Sequence, residues 1–116
     1  MEGCFHIQGI PGTMQKITST DAEQGLAASL VTRSDRQPAI AVAITVENND
    51  LRICYDGTIP LTSNAGALGH ILSAGQSVRL ENSAAIGAFL FCSKTVGNAA
   101  ILHITPEYST SLTNSF

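Results

Sequence analysis

The sequence predicts a mainly β fold: a compact antiparallel β-sandwich or jelly-roll-like barrel with an irregular N-terminal arm. Three observations carry that expectation. Short apolar runs alternate with a period of two, the mark of half-buried strands. Turn residues such as Asp56-Gly57 and Glu47-Asn48-Asn49-Asp50 separate those runs at close intervals. Finally, 116 residues with 44% hydrophobic content suffice for one core and one domain.

Residues 1–37 are the least regular and read as an N-terminal arm, broken by Gly9, Pro11 and Gly12. Within it, Asp21 to Val31 is predicted to form a helical turn capped by Thr20 or Asp21, although Gly25 weakens it. An extended arm lying along a neighbouring subunit is the other reading of this segment.

The β domain spans 38–108. The run AIAVAITVE places Ile40, Val42, Ile44 and Val46 on one face and Ala39, Ala41, Ala43 and Thr45 on the other. Small residues on that second face predict that it, too, is covered. A polar turn leads into LRICY, with Leu51, Ile53 and Tyr55 on one side, so the two strands are expected to pair as a hairpin. Gly57 is expected in a turn with positive φ. From Leu61 to Gly75 a Gly/Ala/Ser/Asn-rich connection is predicted to cross the open end of a sandwich, with Leu68, Ile71 and Leu72 plugging the core beneath.

Three strands close the series: Gln76–Glu81 with Val78 and Leu80 inward, Ala88–Ser93, and Ala99–Thr105 with Ala100, Leu102 and Ile104 on one side. Pro106 is predicted to end the last of them. Residues 109–116 form a Ser/Thr/Asn-rich tail expected to be mobile without a partner.

Composition narrows the function. Only 13% of residues are charged, against about 25% in an average domain, and Ser, Thr, Asn and Gln replace the missing ions. Burying a hydroxyl or amide against a partner costs less than burying an ion, which favours a subunit of an assembly. The formal net charge is −3 and the six basic residues are scattered, Arg33 and Arg36 being the closest pair of arginines. No basic face for phosphate neutralisation is visible, so no nucleic acid partner is expected. The opening MEGCFHIQG has no signal-peptide pattern, and no run approaches the roughly 20 apolar residues of a membrane span. Cys4, Cys54 and Cys92 fit no zinc or redox spacing, and free thiols in a reducing cytoplasm are the expectation.

No catalytic, cofactor-binding or metal-ligating residue is assigned. His6, His70 and His103 lie in contexts that do not suggest a shared metal. There is no G-x-S-x-G elbow, and the cysteines of predicted strands are expected to be buried and unreactive. Asp50, Asp56 and Glu81 read as solvated turn carboxylates rather than a glycosidase pair. AGALGH lacks the lysine and the strand-to-helix setting of a phosphate loop. With no Trp, and Tyr55 and Tyr108 as the tyrosines, an aromatic sugar platform would be sparse.

The block from Arg52 to Ile104 resembles small virion structural proteins of tailed bacteriophages. The likeness lies in RICYDGTIPLTSNAG, GHILSAG, QSVRLEN, AIGAFLF and AAILHIT. It covers about the C-terminal half, and its motifs are short and built from common turn residues. It implies a non-enzymatic capsid decoration (cement) protein, or a head-fibre, neck or tail-associated component. The implied partners are further copies of the chain, a trimer being favoured, and the major capsid or another virion protein. The implied location is the virion, assembled in the host cytoplasm. Two alternatives accompany it: a receptor- or glycan-binding or adaptor module of a fibre or tail, and a small cupin-like metalloenzyme.

Overall fold

In a computed structural model, residues 10–33 and 37–109 are described. They form two antiparallel sheets facing each other across one apolar core, a sandwich rather than a closed barrel. The strands are β1 (Ile10–Pro11), β2 (Gln15–Thr18), β3 (Gln24–Gly25), β4 (Ala41–Glu47), β5 (Leu51–Cys54), β6 (His70–Leu72), β7 (Ser77–Leu80), β8 (Leu90–Ser93) and β9 (Ile101–Tyr108), with one short helix, α1 (Ser83–Ala88). The five-stranded sheet has the order β1-β9-β4-β7, with β2 also on β9; the four-stranded sheet runs β3-β8-β5-β6.

Alternation decides what meets in the middle. Val42, Ile44 and Val46 of β4 and Leu102 and Ile104 of β9 bury their side chains against Leu51 and Ile53 of β5 and Phe91 of β8. Each such side chain contributes about 1.5–3 kcal/mol on full burial. Phe89 lies 5.8 Å from Phe91, ring centre to ring centre, and is also fully buried.

β4 and β5 do not form a hairpin. Each pairs within a different sheet, and the Glu47–Asp50 connection arches from one to the other. Asn48 takes a φ of +81° there, and the Asn49 side-chain amide donates to Ala99 O at 2.8 Å. The reason is that Val46 and Leu51 must both face the core from opposite sides, which a two-sheet arch allows and a flat hairpin does not.

Residues 10–33 are mostly irregular, but their short strands belong to the chain's own sheets: β1 and β2 line β9, and β3 lines β8. The helical turn expected within 21–31 is short and starts late, at Ala27 rather than at a Thr20 or Asp21 cap, and part of the segment is extended instead. It is a single 3-10 turn at Ala28–Leu30, with β3 at Gln24–Gly25. Backbone pairing at a sheet edge outcompetes a helix already weakened by Gly25.

Three boundaries also differ from expectation. Ala88 ends α1 rather than starting a strand; the Asn82 side chain caps that helix by accepting from Ala85 N–H at 2.8 Å. Pro106 does not end β9, which runs on to Tyr108. Pro106 O accepts from Gly12 N–H at 2.7 Å, while Ile40 N–H donates to Glu107 O at 2.8 Å on the other side. The Pro106 nitrogen therefore faces the loop between β1 and β2, where no ladder bond is required. In the third case, the Leu61–Gly75 connection contains β6, whose Leu72 is buried, whereas Leu68 and Ile71 are 46% and 48% exposed. Pairing of β6 with β5 turns alternate residues outward, so only one of the three expected plugs reaches the core.

Candidate functional site

The free edge and open end of the four-stranded sheet carry the most distinctive surface. Register places Leu51 opposite Leu72 and Ile53 opposite His70. Continuing that alternation puts Tyr55 and His70 on one face, beyond the last core residue. Their rings stack 5.5 Å apart at an interplanar angle of 16°.

The turn after β5 is built locally. Asp56 Oδ1 accepts from Thr58 N–H at 3.0 Å, and Gly57 has the φ of +89° that closes the turn. The Thr58 backbone and hydroxyl bonds, and then the nearby His70, hold the Asp56 carboxyl below its ordinary value. The following loop closes on itself through paired Leu61 and Leu68 backbones at 2.9 and 3.0 Å. Gly69, at a φ of +126°, brings that loop against β5, where its carbonyl accepts from Arg52 Nη1 at 3.0 Å.

A bowl of about 390 Å³ results, lined by Cys54, Tyr55, Asp56, Thr58, Leu68, Gly69 and His70. Tyr55 and Leu68 of its lining are bare, as are Ile59 in the loop after β5 and Ile71, which alternation turns to the other face of β6. Tyr55, Ile59, Leu68 and Ile71 are 46–55% exposed. They account for half of the eight large apolar side chains exposed among the described residues.

The residues weighed from sequence are scattered. Tyr108 is buried, with the Arg33 guanidinium 5.4 Å above its ring, so it shares no platform with Tyr55. His103 Nε2 lies 2.7 Å from Glu47 Oε1, on the five-stranded sheet. His6, Cys4 and Arg36 lie outside the described residues. Among the described residues, no group of three His, Cys, Asp or Glu side chains is placed to hold a metal ion.

The three carboxylates do not converge. Asp50 accepts from Ala74 N–H at 2.9 Å and faces Lys94 at 3.7 Å, Asp56 closes its own turn, and Glu81 pairs with Arg79 at 3.0 Å. Cys54 and Cys92 are free and buried. Burial raises both thiols, with the charge of Asp56 adding to the effect at Cys54, which leaves little thiolate at neutral pH.

Sequence reasoning missed His70 as the stacking partner of Tyr55. The signal was the alternation of GHIL against LRICY, legible only once β6 is recognised as a strand. Chemically, the arrangement offers a fixed aromatic face, an ionised acceptor and a hydroxyl beside an apolar edge. No helix among the described residues is long and apolar enough to cross a membrane. No family model, no curated protein and no solved structure matches this chain.

Proposed function

We propose that this chain is a non-enzymatic structural subunit of a virion, a capsid decoration (cement) protein that stabilises a tailed-bacteriophage head by binding between capsid subunits. One observation carries the reading: the exposed apolar side chains Leu68 and Ile71, beside and on β6, the outermost strand of its sheet. Sheet edges of monomers are commonly blunted by charge or proline, and exposed apolar groups clustered on one edge mark a contact surface. From Leu68 to Leu72 the sequence LGHIL has neither Lys nor Pro.

The low charge content supports the same reading, as does the resemblance of residues 52–104 to virion structural proteins. Copies of the chain assemble as a closed homo-oligomer, a trimer being favoured, and many modest contacts to the shell add through multivalency. The test is absolute mass by light scattering, followed by co-sedimentation with capsid shells lacking the protein. Saturable binding at a fixed ratio to capsid subunits supports the proposal. A monomer that pellets with no capsid or tail component overturns it.

A further inference from the structure

The bowl at the open end of the sandwich shares Leu68 with that edge but adds Tyr55, Asp56 and His70, a polar and aromatic chemistry that an apolar contact does not need. Tyr55 is 55% exposed, yet its ring is held by the stack on His70. A ligand resting on it therefore meets a surface already ordered and loses little side-chain entropy in binding. The ring face is electron-rich and apolar, suited to the C–H groups on one face of a pyranose. Leu68 supplies an apolar wall, and Thr58 a hydroxyl.

Asp56 sets the polarity. Its Oδ1 is anchored by Thr58 N–H at 3.0 Å, so the carboxylate is positioned without a salt bridge to any of the described residues. A carboxylate accepts from ligand hydroxyls in charge-assisted hydrogen bonds, stronger than neutral ones. Among the described residues no lysine or arginine lines the bowl, so an anionic ligand would meet Asp56 uncompensated. The volume, about 390 Å³, lies near the lower end of the roughly 300–1,000 Å³ typical of small-molecule sites. One or two sugar rings fit that space.

We infer that the bowl lined by Tyr55, Asp56 and His70 is a subsite for a neutral sugar ring, with the C–H face of the sugar on the exposed part of the Tyr55 ring and its hydroxyls on the Asp56 carboxylate. Binding of a free sugar does not require the decoration reading; where that reading holds, many copies on a shell would add avidity to a weak subsite.

The experiment is an amide chemical-shift titration of the full-length ¹⁵N-labelled protein. The probes are the methyl glycosides of glucose, galactose and mannose, with choline chloride as a cationic comparison at equal ionic strength. Saturating shifts centred on Tyr55, Asp56, Gly69 and His70 are expected for at least one glycoside, with a millimolar Kd. Tyr55→Ala and Asp56→Asn are expected to weaken that binding roughly tenfold or more. Tyr55→Phe, which keeps the ring, is expected to stay within about threefold of the parent. Asparagine can still accept from Thr58 N–H, so Asp56→Asn removes the charge while keeping the turn, and each variant's amide spectrum reports its fold. The inference is overturned if no glycoside produces saturating shifts, if Tyr55→Ala binds as tightly as the parent, or if choline alone saturates the site. None of these outcomes bears on shell binding, which is read separately.

Discussion

Arg79 and Glu107 grip each other with two parallel hydrogen bonds, Nη1 to Oε2 at 2.7 Å and Nη2 to Oε1 at 2.6 Å, reaching across an intervening strand. Arg79 sits on β7 and Glu107 on β9, and β4 runs between them. The contact is possible because β4 presents Ala43 opposite Arg79 and Ala41 opposite Glu107, leaving the space above the strand open to the two longer side chains. Their side chains are only 14% and 3% exposed. The bond to Glu107 is the main cause that raises the Arg79 pKa.

Removing one member of a mostly buried pair leaves the other charge uncompensated. Glu107→Ala is therefore expected to cost about 3 kcal/mol, softened by the remaining Arg79–Glu81 bond at 3.0 Å. Replacing both partners, Arg79→Met with Glu107→Leu, is expected to recover much of that loss. Urea midpoints of the three proteins check the order; equal midpoints for Glu107→Ala and the parent would contradict it.

Ser19 ties the end of β2 to both neighbours. Its hydroxyl accepts from Ala100 N–H at 2.8 Å and lies 2.7 Å from the Ser93 hydroxyl, all in the buried interior. Ser19→Ala orphans a buried N–H and a hydroxyl together, an expected loss of about 1–3 kcal/mol. Ser93→Ala leaves the bond to Ala100 intact and is expected to cost less. Thermal unfolding of the two variants ranks them.

Glycine is required for different reasons at two turns. Gly57 has a φ of +89° and nothing within 4 Å of an added Cβ, so Gly57→Val is expected to cost about 1 kcal/mol or more through backbone strain alone. At Gly69 the φ of +126° is compounded by Ile53 O, 3.1 Å from where a Cβ would stand. Gly69→Ala is accordingly expected to shift the denaturant midpoint further than Gly57→Ala.

Alkaline pH is expected to destabilise the fold. Burial raises the Cys54, Cys92 and Tyr108 groups above their ordinary values. In the unfolded chain the thiols release protons first, near pH 8.5 (roughly), while the folded chain still holds them. The stability contributed is thus complete below that unfolded pKa and is lost as pH rises through the folded values. Urea midpoints measured upward from neutral pH are expected to fall. In a Cys4→Ser background, labelling of Cys54 and Cys92 by a thiol reagent at pH 8 (about) is expected to lag far behind labelling of the unfolded protein.

The β6 edge is a surface, not a core. Leu68→Ser with Ile71→Ser is expected to change stability by no more than about 0.5 kcal/mol per site. The same double substitution is expected to lower the mass found in solution or the amount bound to shells. A large drop in melting temperature instead would place these side chains in the fold rather than at a contact.

Much of this architecture is legible locally. Alternation in AVAITVE, LRIC and ILHIT identifies three strands and their buried faces, and the Asp-Gly turn is visible because only a short list of residues tolerates positive φ. The candidate site was half legible. Tyr55 and His70 were each singled out, but as isolated residues, because their contact depends on a β5–β6 register that a Gly-rich stretch conceals.

By itself, then, the chain determined a single β domain with an apolar face on each main strand, since the period of side chains is a local property of extended backbone. The tertiary structure decided which strands pair. Glu47–Asp50 could have closed a hairpin, but burying Val46 and Leu51 from opposite sides sends β4 and β5 into different sheets. Pro106 was expected to stop β9, yet it persists inside the strand because its nitrogen faces a loop. Partner choice depends on shared burial between residues far apart in sequence, and the alternation within one strand does not encode that.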